Sequence, residues 1–326
     1  MAKLDTLGAQ VNANKKRSVW AVASFLLLIN IIFGVLAYFF TGDNLMAFGQ
    51  AMLWLEGFLI LYILYRYWQG GQEIVRMNKG QEITENTSNP KYQQVYNIVT
   101  ELSLAAGLPM PRVYIVPDPS PNAFATGMKP EKASISVTQG LLDIMNREEL
   151  EGVIAHEMSH IKNYDIRVTT LSIALVGFIS LMGYGLMRVG QSMTYYRDSD
   201  SRDNSQYIGL AFMLIGVVIL VVGLPLSYLL EKFLSRRREA LADVSGAELT
   251  SDPQGLISAL EKLQEPQPAA TTLSPQAAGL YITEPLFGKE HKRSWWSRMM
   301  DDHPPLDERI ANLKQVLGDS GASDDQ

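Results

Sequence analysis

The chain has 326 residues, 47% of them hydrophobic, with a formal net charge of −6 and no cysteine. The lack of cysteine excludes a disulfide framework and a thiolate metal site. The acidic balance, without a basic stripe, argues against a nucleic-acid binder.

In chain order, residues 1–18 form a polar N-terminal extension ending in Lys15, Lys16 and Arg17. Residues 19–40 and 47–68 are apolar blocks, the second interrupted only by Glu56 before Arg66. Residues 168–187 and 207–230 are two more. Each is about 20 residues or longer, enough to cross a hydrocarbon core of roughly 30 Å. The first block is too long for a signal-peptide core and has no clear small-residue cleavage site, so it reads as a retained anchor. The expected architecture is an α+β integral membrane protein. Four transmembrane helices (two within 19–68, two within 168–230) carry a mainly helical domain with a small β-sheet, split between 69–167 and 231–317. Residues 318–326 are expected to be a disordered tail.

Basic residues set the orientation. Lys15 to Arg17, then Arg66, Arg76 and Lys79, then Lys232 and Arg236 to Arg238 flank the spans on one side. The positive-inside rule puts that side in the cytoplasm. The acidic loop holding Asp198, Asp200 and Asp203 then faces outward, away from any cytoplasmic site.

The soluble part shows helical periodicity over 91–108, opened by Asn89-Pro90 and closed at Gly107-Leu108-Pro109. Short β-rich runs follow at 112–116, 122–126 and 133–138. Next comes His156-Glu157-Met158-Ser159-His160, led in by Glu148, Glu149 and an apolar run. On a helix, positions i and i+4 share a face, so both imidazoles can hold one zinc ion, with Glu157 beside it as a base. The plain alternative is a surface helix with two unrelated histidines. A third ligand on the same side of the membrane decides against it.

Glu239 is that candidate ligand, on the helix that leaves the fourth apolar block. Asp243 lies four residues on and shares its face, placed to orient a histidine through its second ring nitrogen. The alternative for Glu239 is an exposed acid pairing with Arg236 or Arg238. If the helices of His160 and Glu239 both continue into the spans, the metal sits on the order of 12–14 Å from the span ends.

The His156–His160 pentapeptide, Glu239 to Asp243, the segment Asn122 to Gly127 and His303-Pro304-Pro305-Leu306-Asp307-Glu308-Arg309 together give a resemblance. The chain resembles the HtpX family of membrane zinc endopeptidases, which are related to CAAX prenyl proteases. That resemblance implies a gluzincin-like domain, one Zn2+ per chain and membrane-protein or unfolded polypeptide substrates. It also implies a role in quality control under stress, at a bacterial inner membrane. Asn122, Ala123 and Phe124 would pair with an extended substrate, and His303 and Arg309 would stabilise the oxyanion. A CAAX-type protease is disfavoured by the four spans. A non-catalytic scaffold is disfavoured because Glu157 and all three ligands are present, and a metal transporter because only Glu56 is ionisable in mid-span.

Overall fold

The computed structural model describes residues 16, 19–20, 23–24, 26–27, 29–38, 40–69, 71–195, 205–274, 280–282 and 305–321. The chain divides into two compact units. One joins 67–170 to 232–326, and the other joins 18–66 to 171–231.

In the first unit, a short helix α3 (Gln72–Met77) leads to strand β1 (Gln81–Ile83) and helix α4 (Pro90–Ala106). The Asn89 side chain caps α4 by accepting from the Lys91 N–H, and Pro90 starts the first turn, where its missing N–H costs nothing. Strands β2 (Arg112–Val116), β3 (Ala123–Thr126) and β4 (Ser134–Thr138) complete a four-stranded sheet of order β1-β2-β4-β3. The β2–β4 pair is parallel, and the other two pairs are antiparallel. The three expected runs are thus strands. The three-residue β1 carries too little alternation to be read in advance. Strand β3 lies at an edge, with Phe124 opposite Ser136.

Helix α5 (Gln139–Ile144) follows, then α6 (Arg147–Lys162), which carries the two histidines. A reciprocal capping box starts α6: the Asn146 side chain takes the Glu149 N–H, and Glu149 takes the Asn146 N–H. Lys262 of helix α10 (Pro253–Leu263) reaches the same Glu149 carboxylate at 2.6 Å. Val153, Ile154 and Met158 of α6 are buried with Val95, Ile98 and Val99 of α4 and Ile135 and Val137 of β4. The apolar face of α6 therefore sits in the core while its other face meets the functional site. The last helix, α11, spans Leu306–Gly321, four residues beyond the expected end at 317.

The other unit contains α1 (Ile29–Tyr38) and most of α2 (Leu45–Gln69). It also holds α7 (Asp165–Tyr195) from Leu171 onward, α8 (Ser205–Val218), a π-helical turn at Ile219–Gly223 and the start of α9 (Leu224–Thr250). Ile29, Leu59, Phe178, Ile179 and Ile219 are buried together, and the Tyr62 hydroxyl donates to the Ala174 carbonyl at 2.7 Å. Helices α7 and α8 touch at glycines: a Cβ on Gly216 would lie 2.6 Å from the Gly183 carbonyl oxygen, and one on Gly209 would lie 2.8 Å from that of Gly190. Small residues of this kind let membrane helices approach closely. The wide π turn comes just before Pro225, which has no N–H to give the preceding turn.

Leu45–Tyr65 and Asp165–Tyr195 are long and apolar enough to cross a membrane. Ile29–Tyr38 and Tyr207–Gly223 are shorter apolar helices. Large apolar side chains point outward from this unit, Trp54 at 81% and Leu53 at 73% exposure. In water such a surface would be a liability; in hydrocarbon it is the solvated face.

Candidate metal centre

The two histidines of α6 stand one turn apart, and their Nε2 atoms converge to 3.2 Å. Glu239 enters from α9. Its Oε2 lies 3.5 Å from His156 Nε2 and its Oε1 lies 3.5 Å from His160 Nε2. Helix α9 can come this close because residue 246 has no side chain: a Cβ there would sit 2.9 Å from the backbone nitrogen of His156. The close approach of the two helices thus fixes the carboxylate against the histidine pair.

These spacings test whether a metal fits. Zinc bonded at roughly 2.0–2.1 Å to tetrahedral ligands places neighbouring ligand atoms about 3.4 Å apart. The two Nε2 atoms are 3.2 Å apart, and each lies 3.5 Å from one of the two Glu239 carboxylate oxygens. Two neutral-nitrogen donors and one carboxylate also match a zinc site that keeps a further position open. Among the described residues, His156, His160 and Glu239 form the group able to hold an ion.

Behind His156 lies a charged stack. Its Nδ1 is 2.9 Å from Asp243 Oδ1. Arg309 of α11 grips the same carboxylate with two N–H groups, Nε to Oδ2 at 2.9 Å and Nη2 to Oδ1 at 2.7 Å. Its Nη1 donates to the Ile282 carbonyl at 3.2 Å. All three side chains are buried. Burial opposes charge on His156, but the hydrogen bonds to Asp243 and Glu239 outweigh it and hold the pKa up at about 9 in the metal-free site. Burial likewise opposes ionisation of Asp243, and the Arg309 charge overrides it, taking the carboxyl down to about 2. Arg309 is pushed further up by the Asp243 charge against the cost of its own burial. Asp243 is therefore a fixed acceptor, which sets the His156 Nδ1–H and aims Nε2 forward.

The structure places Arg309, expected at the oxyanion, on the Nδ1 side of His156, where its Nε and Nη2 donate to Asp243 and its Nη1 to the Ile282 carbonyl. His303 lies outside the described residues. His160 has a carboxylate that the helical periodicity did not single out, since Asp165 Oδ2 lies 3.2 Å from its Nδ1.

In front of the histidines is a cavity of about 20 Å³, lined among others by Glu157, His156, His160, Ala125, Leu280 and Ile282. That is room for about one water molecule. Glu157 is 2% exposed and faces this space, and Arg238 lines it too. From the edge strand, Ala125 reaches the cavity rather than the three residues expected to meet substrate. Asn122 is tied to Thr138, the Ala123 carbonyl accepts the Ile282 N–H at 3.1 Å, and Phe124 packs edge-on against Tyr281. The expected continuity of α6 into the span fails as well. Helix α6 stops at Lys162 and a turn with Tyr164 at φ 62° precedes α7, whereas α9 runs unbroken through Glu239.

The histidine pair, the converging glutamate, the adjacent acid and the outward apolar helices define a membrane metallopeptidase. Comparison with known proteins makes the assignment specific: Peptidase family M48 matches residues 89–317, and the chain belongs to that family. A protein named "Protease HtpX homolog" from Limosilactobacillus fermentum (strain NBRC 3956 / LMG 18251) is 39% identical over 308 residues, covering 94% of this chain and 99% of the other. Relatives of the same name from Lactobacillus helveticus (strain DPC 4571) and Streptococcus uberis (strain ATCC BAA-854 / 0140J) are 40% and 37% identical at the same coverage. A solved structure described as "Crystal Structure of S. mikatae Ste24p" is similar at 16% identity and a TM-score of 0.42, over 94% of this chain and 66% of that chain.

Proposed function

We propose that this M48 metalloprotease is a zinc-dependent endopeptidase of a bacterial inner membrane. Four spans keep its termini and active site on the cytoplasmic side, where it cleaves membrane proteins and unfolded polypeptides in quality control and the stress response. The observation that carries the chemistry is the convergence of His156, His160 and Glu239: the two Nε2 atoms lie 3.2 Å apart, and each has one oxygen of the Glu239 carboxylate at 3.5 Å. The basic residues that flank the apolar blocks on one side support the orientation.

His156, His160 and Glu239 would hold the zinc. When bound, zinc polarises the scissile carbonyl and makes water a stronger acid. The remaining work falls to side chains of this chain. Glu157, buried at the cavity, takes the proton from the attacking water and returns it to the leaving amine nitrogen. Asp243 holds His156 in one tautomer, and Arg309 keeps Asp243 ionised. Leu280 and Ile282 give the cavity an apolar part of its wall, which would limit water around the reacting atoms. Ala125 of the edge strand β3 lines the cavity, and a substrate strand would lie along that edge.

The test is a cleavage assay on a model membrane protein with the purified full-length chain and its Glu157→Gln variant. The variant is expected to keep its zinc and to lose at least about a hundredfold in rate, the usual size of a general base's contribution. Cleavage at the wild-type rate by zinc-loaded Glu157→Gln would remove Glu157 from the mechanism.

A further inference from the structure

Two buried carboxylates meet the Nδ1 atoms of the histidine pair, and the role of one of them, Asp243, is described above. The other is Asp165, the first residue of α7, only 3% exposed. Its Oδ2 lies 3.2 Å from His160 Nδ1, on the side of the ring opposite the Nε2 that faces His156 and Glu239. Among the described residues the Asp165 carboxylate makes no other hydrogen bond or ion pair. A carboxylate this deep is costly unless a partner compensates it, and here that partner is the imidazole.

The path of the chain is built around this contact. Residue 165 follows His160 by five, so on an uninterrupted helix it would sit about 140° around the axis, facing away. Instead α6 ends at Lys162, where the Asn163 N–H bonds to the Ser159 carbonyl and the Tyr164 N–H to that of Ile161. Tyr164 then takes φ 62°, a left-handed conformation that costs a bulky residue on the order of 1 kcal/mol or more. This turn swings Asp165 back onto His160 and brings it, with Ile166 and Thr169 of α7, to the wall of the same cavity. An acid at a helix start also suits the helix dipole, but a dipole partner works from the exposed surface and needs no burial against a histidine.

We propose that Asp165 is a positioning residue. It accepts the His160 Nδ1–H, fixes the tautomer and ring plane, and so presents Nε2 to the metal, as Asp243 does for His156. The inference rests on the metal site put forward above. A second carboxylate of this kind is worth about 10- to 100-fold in metal affinity.

Zinc affinity decides the matter, measured on the full-length protein in detergent by competition with a chromogenic chelator. The proteins compared are the wild type, Asp165→Asn and, as a control, His160→Ala. Asp165→Asn keeps the shape and the helix start but replaces the ionised acceptor with a weaker one. The expected result is zinc affinity 10- to 100-fold below wild type, with the far-ultraviolet dichroism and thermal midpoint of the metal-free protein unchanged. A residue that served only the helix would move the midpoint and leave the affinity of the folded protein alone. Asp165→Asn affinity within twofold of wild type, while His160→Ala abolishes binding, overturns the positioning role and leaves the metal site standing. Wild-type affinity in both variants overturns the metal site, and the positioning role with it.

Discussion

Arg309 comes from a helix far along the chain and ends up 2% exposed, gripping the carboxylate that holds His156. Replacing it by alanine leaves Asp243 buried without its cation, a change that costs about 3–5 kcal/mol. Arg309→Ala is therefore expected to unfold at a lower urea concentration and to bind zinc more weakly. A residue acting only on the oxyanion would slow turnover and leave both untouched. Unchanged stability and zinc affinity, with slower cleavage, would return Arg309 to the oxyanion role. The ligands and Asp243 were legible in the sequence because four-residue helical spacing puts each pair on one face, whatever the tertiary structure. The work of Arg309 was not, since its contact with Asp243 spans 66 residues of sequence. Asp165 was hidden for a different reason: the left-handed turn at Tyr164 breaks the periodicity on which such readings depend.

At the scale of elements, one carboxylate ties residues 271–273 to the segment that follows strand β2. Asp118, 1% exposed, takes the Ser120 N–H at 2.8 Å on one oxygen. Its other oxygen gathers the N–H groups of Thr271, Thr272 and Leu273. Burial works against its charge, but the N–H groups of Thr272, Ser120 and Thr271 prevail and hold its pKa below the usual carboxylate range. Such a group stabilises the fold above the unfolded-state carboxyl pKa, and that contribution disappears as pH falls through the folded value. Asp118→Asn is expected to lose about 2–3 kcal/mol at neutral pH, the scale of a hydrogen bond to a charged group. Its deficit against wild type should shrink on acidification, as read from urea midpoints across pH. A deficit independent of pH would mean that the carboxylate charge is not what holds residues 271–273. Nothing in the sequence around Pro117-Asp118-Pro119 announces this anchor, because its partners lie more than 150 residues away. Capped elements such as α4 and α6 were legible, since their signals are local. Strand β1 and helix α5, at three and six residues, were too short to show a period.

For the whole molecule, hydropathy blocks announced a membrane protein, and two helices meet the length and composition of a span outright. The unit that holds the metal centre is built from separate stretches of chain, 67–170 with the histidines and 232–326 with Glu239, on either side of the later apolar helices. What patterning left open was the join between α6 and α7, decided by a turn two residues long. The central claim, that the α6 histidines and the α9 glutamate hold one zinc that proteolysis requires, bears on the molecule as a unit. It is tested by removing metal from the purified full-length protein with a chelator and titrating zinc back, with bound metal and cleavage of a membrane substrate followed together. The expected result is loss of cleavage in the metal-free protein and full recovery at one zinc per chain. Undiminished cleavage by the zinc-free protein would contradict the claim.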